Sequence, residues 1–149
     1  MKLDPLFTIK NNRLYRIADD KETDLNAIKR IELPWSILEL EPENYNEEYL
    51  AKLRDDLKDM EEKEEFAVIV PVADRTIGEP ESGNDEEAFI AAYNHAARRI
   101  KDCVSVIGFE IPEEIENQSD FIDILSKKHG HYIYFTKANN TMPDRIISY

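Results

Sequence analysis

Carboxylates gather in one short stretch of this chain: Glu110, Glu113 and Glu114 stand at and just past the apolar run Val106-Ile107-Gly108-Phe109. Carboxyl groups in unlike surroundings take different pKa values, so one can donate a proton while another accepts it. Two further carboxylates, Glu39 and Asp74, follow other apolar runs, and Trp35 precedes Glu39 by four residues. An aromatic ring with several carboxylates has the chemistry to line a carbohydrate or other polyol site. Acidic chains also place carboxylates in loops by default, so the elements that carry these residues decide what they can do.

Residues 7–17 alternate around Asn11-Asn12, a pair that tolerates the positive φ of a two-residue turn, and predict a β-hairpin. Residues 19–26 have room for one short helical turn. Residues 31–40 read as a strand ending in a loop, with Pro34 arguing against a uniform central strand. Asn46 is then a natural N-cap, Glu47 and Glu48 suit the positive end of a helix, and Leu50, Leu53, Leu57 and Met60 recur at helical spacing. The continuous apolar run 66–73 predicts a strand buried on both faces of a parallel sheet, with Asp74 at its far end.

Loop chemistry fills residues 76–83, and Asn84 with Glu87 resembles a capping box. Phe89, Tyr93, Ala96, Ala97 and Ile100 form the inner stripe of the helix that follows, with Arg98, Arg99 and Lys101 near its negative end. Residues 104–111 predict another buried strand. Ser119 caps a short helix stopping at Gly130, and residues 132–136 form a last strand. The expected fold is a single α/β domain over residues 1–149: a hairpin (1–18), β/α units (19–138) giving a mainly parallel sheet of about four crossover strands, and an irregular tail (139–149) packed by Ile146, Ile147 and Tyr149. In such sheets ligands bind where strands end at their carboxyl side. Trp35, Glu39, Asp74, Glu110, Glu113 and Glu114 all fall at such ends.

Composition narrows the partners. Across 149 residues, 19 basic side chains face 32 acidic ones, a net charge of -13 that repels nucleic-acid backbones and anionic membranes. No apolar run nears the ~20 residues of a membrane span. Cys103 is the single cysteine, which excludes an internal disulfide, and no Cys/His spacing matches a zinc site, so no metal and no cofactor is expected. Asp4 and Pro5 interrupt any secretory apolar region and point to a cytoplasmic protein. Other reactive types have plainer readings: a core or rim place for Trp35, a packed or surface place for His95, and a helix-to-strand turn for His129 and His131 without a third ligand. Cys103 reads as a small buried side chain, and residues 55–65 as a solvated acidic helix face.

Two passages carry a family resemblance. Leu33-Pro34-Trp35-Ser36-Ile37-Leu38-Glu39, followed by Pro42-Glu43-Asn44-Tyr45-Asn46 and a helix, resembles the strand and helix entry of (β/α)8 glycoside hydrolases of the cellulase-like superfamily. Residues 89–103 and then Val106-Ile107-Gly108-Phe109-Glu110-Ile111-Pro112-Glu113-Glu114 are similar to that family's helix and V-I-G-[FY]-E-x-x-N-E-P passage, whose Asn contacts the sugar and whose Glu is the general acid/base. The resemblance spans roughly residues 30–115. Position by position, Glu113 stands where the Asn would be, Glu114 where the acid/base would be, and Ile115 where the Pro would be. The resemblance implies a truncated, degenerate member, because a retaining mechanism needs a second carboxylate ~5 Å away and a closed barrel takes ~250 residues.

Three functions stay open on these grounds. One is a non-catalytic, glycosidase-like binding or scaffold module, a half barrel whose sheet edge is covered by the hairpin, the tail or a second copy in a homodimer. Another is an active glycoside hydrolase with Glu114 as acid/base, Asp74 or Glu39 as second carboxylate, and Trp35, Glu110 and Glu113 lining the ligand site. The last is an unrelated intracellular α/β interaction protein.

Overall fold

The computed structural model describes residues 6–10, 13–41, 44–74, 85–112, 118–136 and 146–148. An antiparallel hairpin opens the chain, with β1 (Phe7–Lys10) paired to β2 (Arg13–Arg16) in the register Phe7 to Arg16 and Lys10 to Arg13. The turn pair Asn11-Asn12 lies outside the described residues. A two-residue strand β3 (Glu22–Thr23) extends this sheet, and a 3₁₀ turn (Leu25–Ala27) follows, its first turn capped by the Asp24 carboxylate. The short helical turn expected between residues 19 and 26 is therefore present, preceded by a strand too brief to show alternation.

Five strands make the main sheet: β4 (Lys29–Pro34), β7 (Ala67–Val72), β8 (Val106–Glu110), β9 (Ile133–Thr136) and β10 (Ile146–Ser148). All neighbouring pairs are parallel and the order across the sheet is β10-β9-β8-β7-β4, the order of the chain itself. One expectation is corrected here. Ile146 and Ile147 belong to a fifth parallel strand, where an irregular tail was expected, because three residues are too few to carry a period-two pattern.

Between β4 and β7 run a single helical turn α1 (Trp35–Leu38), a small antiparallel ribbon of β5 (Glu39–Glu41) and β6 (Asn44–Tyr45), and helix α2 (Glu47–Glu62). The Asn46 side chain accepts from the Tyr49 amide and caps α2 as its sequence predicts. Helix α3 (Asp85–Arg99) joins β7 to β8, with Asn84 of the expected capping box outside the described residues. Helix α4 (Gln118–Ser126) joins β8 to β9. Ser119 is the second residue of α4, two positions past where a cap would stand, so that expectation is corrected, and the helix ends four residues before Gly130.

Each face of the sheet has its own core. Ile69, Phe109 and Tyr134 pack with Leu50, Leu53 and Leu57 of α2, Phe89 and Tyr93 of α3, and Phe121 and Leu125 of α4. On the opposite face Val68, Val70, Ile107, Ile133, Phe135 and Ile147 pack with Phe7, Ile9 and Leu14 of the hairpin. This double covering explains the unbroken apolar runs of β7 and β9, where neither alternate set can be polar. Pro71 sits in β7 at no cost to the ladder with β8, whose pairing has ended at Ile69 and Phe109. Tyr93 fastens the sheet to α3: its hydroxyl donates to the Leu33 carbonyl of β4 and accepts from the Val72 amide of β7 at 3.3 Å. Among the described residues no helix is long and apolar enough to cross a membrane.

Candidate functional site

The carboxyl ends of β4, β7 and β8 carry the described candidates. Trp35 opens α1 directly after β4, and Glu39 follows that turn one helical repeat later, so both side chains fall on one side. The Trp35 indole Nε1 donates to Glu39 Oε1 at 2.7 Å. Both groups are buried, with 5% of Trp35 and 3% of Glu39 exposed. Trp35 packs edge-on against Phe89 at 5.3 Å between ring centroids, within the helix-side core. Of the core or rim place read for Trp35 from sequence, the structure shows the core.

Asp74 lies two residues beyond β7. Its Oδ1 accepts from the Ser36 amide at 2.9 Å, and its Oδ2 accepts from the Ser36 hydroxyl. The carboxylate thus joins the end of one strand to the helical turn after its neighbour. Glu110 closes β8 and receives Arg30 Nη2 on its Oε1 at 2.8 Å. Arg30 belongs to β4, with β7 between the two, so the pair spans two strand spacings across the hairpin side of the sheet, where Val68 also points. Such a pair is exposed on the Arg30 side and shielded on the Glu110 side.

The structure therefore brings Trp35, Ser36, Glu39 and Asp74 to the adjoining ends of β4 and β7, and gives Glu110 a partner of its own. Glu113 and Glu114 lie outside the described residues. Ser36 and Arg30 were not legible as partners: Arg30 is eighty positions from Glu110 in the chain. The alternation of Arg30 and Glu32 with Ile31 and Leu33 was the available signal, since it marks a polar face on β4.

Among the described residues, no group of three or more His, Cys, Asp or Glu side chains could hold a metal ion. Cys103 is buried and its thiol is pushed up to about 11 by that burial, an inert rather than a nucleophilic state. His95 pairs with Glu47 at 2.9 Å on the α2–α3 surface, where His95 and Arg99 hold the Glu47 carboxyl below its ordinary range.

No protein-family model and no curated protein matches this chain. Among solved structures it is similar to the endoglucanase Cel5A of Pseudomonas stutzeri, determined in complex with cellobiose, with a TM-score of 0.61 and 16% identity over 81% of this chain and 46% of that one. It is also similar to a GH5_18 from Bifidobacterium longum subsp. infantis, with a TM-score of 0.51 and 12% identity over 72% of this chain and 33% of that one. The chain spans about half the length of the first structure and a third of the second. At these identities the likeness is one of fold: a sequentially ordered parallel sheet with its crossover helices, as in cellulase-like glycoside hydrolases.

Proposed function

We propose that this chain is a non-catalytic, glycoside-hydrolase-like domain, a shortened and degenerate relative of the cellulase-like enzymes that serves as a binding or scaffold module. One observation carries the reading. Each described carboxylate at a strand end already accepts hydrogen bonds from the fold: Glu39 from Trp35, Asp74 from Ser36 and Glu110 from Arg30. A carboxylate engaged in this way acts as a structural acceptor, and its release for acid/base work would leave the donor unpaired. Trp35, the aromatic candidate for sugar stacking, is packed into the core. Similarity of fold brings no activity without the site.

A cello-oligosaccharide is the probe to use, because the similar endoglucanase was determined with cellobiose bound. Release of reducing ends from cello-oligosaccharides should stay at background for the wild type and for Glu114→Gln alike. Turnover by the wild type that is abolished in Glu114→Gln would instead establish an active hydrolase with Glu114 as its acid/base. Titration with cellobiose followed by amide chemical shifts then separates a binding module, which saturates, from a scaffold, which shows no change.

A further inference from the structure

Between α4 and β9 the chain turns through residues 127–132, and three side chains there carry buried polar atoms with no hydrogen-bond partner among the described residues: His129 Nε2, His131 Nε2 and the Tyr132 hydroxyl. Native structures leave few such atoms, and each charges the closed turn with the desolvation of a polar group. Both imidazole rings rest against Tyr132, with 5.5 Å between ring centroids for His129 and 4.2 Å for His131. The Lys127, His129 and Tyr132 amides donate to the Asp123, Leu125 and His129 carbonyls at 3.2, 3.1 and 3.3 Å, whereas the pairing of β9 with β8 begins only at Ile133. The turn can therefore part without breaking the sheet.

The surroundings set what opens it. Besides its burial, His129 faces His131 and Lys128 of its own segment, Lys101 just past α3, and Arg98 of α3, all of which oppose a positive charge on its ring. Asp102, the acid whose charge reaches Tyr132, is already held by Arg54 and Lys58. Cys103 and Tyr134, the other titratable groups beside Tyr132, are uncharged in acid. His131 is opposed as a cation by its burial. Once protonated, either imidazole would hold a buried N–H with no acceptor. We propose that residues 127–132 form an acid-released latch: protonation of His129 and His131 opens this turn as one unit while the sheet stays folded, uncovering Tyr132 and the start of β9 as an apolar surface. In the open turn each histidine takes up its proton near pH 6.5, while the closed turn resists protonation of His129 until about pH 4. The closed form is thus fully favoured above pH 6.5, and the open population rises as the pH falls toward 4, about tenfold per pH unit for each proton taken up.

Native-state hydrogen exchange of the full chain between about pH 7 and 4.5 tests this, with rates corrected for the acid dependence of the chemical step and the histidine ring signals followed in the same samples. Protection of the His129 and Tyr132 amides should fall by about tenfold or more per pH unit below pH ~6. The amides of Ala67 and Ile111, bonded across the sheet to Ser105 and Phe135, should keep theirs. The double variant His129→Gln/His131→Gln should remove the pH dependence of the turn, whatever its protection at neutral pH. Loss of protection at Ala67 and Ile111 in step with the turn would make the acid response global and overturn the latch. It is equally overturned if the His129 and Tyr132 amides stay protected throughout, or if the pH dependence persists in the double variant.

Discussion

Trp35 Nε1 and Glu39 Oε1 are buried together, so the cost of changing Glu39 is set by the indole that remains. Glu39→Gln keeps a carbonyl acceptor at the same reach and should lower stability by less than about 1 kcal/mol, whereas Glu39→Leu removes the acceptor and should cost about 1–3 kcal/mol. Urea denaturation midpoints measure both, and equal midpoints for the two variants would show that Trp35 does not depend on this carboxylate. His129 offers a prediction in pH. It is 2% exposed, its Nε2 has no partner, and burial first, then His131, Lys101, Lys128 and Arg98, lower its pKa to about 4 from 6.5. Between those values the unfolded chain binds the proton and the folded chain does not. Stability is thus full above pH 6.5 and falls as the pH drops toward 4, by up to about 3 kcal/mol. His131 is shifted in the same direction by its own burial and adds to the slope. The lowered carboxylates Glu47 and Asp102 act further down the scale, below the ordinary carboxylate range. His129→Gln should flatten the melting-temperature profile between pH 6.5 and 5, and an unchanged slope would assign the acid sensitivity elsewhere.

Among the elements, β8 has the narrowest tolerance. A Cβ on Gly108 would stand 1.6 Å from the backbone oxygen of Ile133, and the obstacle is the neighbouring strand itself, which no side-chain rotation relieves. Gly108 also follows the register shift between β7 and β8, a place where close backbone approach favours glycine. Gly108→Ala should therefore separate β8 from β9 and cost more than about 3 kcal/mol, seen as loss of soluble yield and of cooperative unfolding; a native melt would show that the strands can part without harm. Helices and long strands are legible in the sequence because their signals are local. Asn46 and the Leu50, Leu53, Leu57, Met60 repeat define α2, and the Phe89, Tyr93, Ala96 stripe defines α3. Some short elements are not: β10, β3 and α1 hold two to four residues and lack the turn pair that marks the equally short β1 and β2. The same limit governs the candidate site. That Glu39, Asp74 and Glu110 sit near strand ends follows from where apolar runs stop, but their partners depend on sheet register and on the β4-to-α1 corner, which only the folded chain specifies.

For the molecule as a whole, the decisive question is how a five-stranded parallel sheet covers two apolar faces with crossovers that leave one of them bare. Sequential strand order puts α2, α3 and α4 together on one face. The face away from the helices is as apolar as the face they cover, so it too needs a cover. Among the described residues the hairpin supplies it: Phe7, Ile9 and Leu14 pack with Val68, Val70, Ile107, Ile133, Phe135 and Ile147. It is then a structural lid on the core, and the fold depends on it although it precedes the first crossover strand. Leu14, fully buried, is its central contact, and Leu14→Asp should cost more than about 3 kcal/mol by placing a charge against that face. Removal of residues 1–18 should go further, exposing the six sheet side chains together. The shortened chain is expected to collect in the insoluble fraction, or to bind a hydrophobic dye strongly and melt without cooperativity. A soluble, dye-silent product with a cooperative transition would mean that the sheet covers this face by other means, and the hairpin would lose its place in the core.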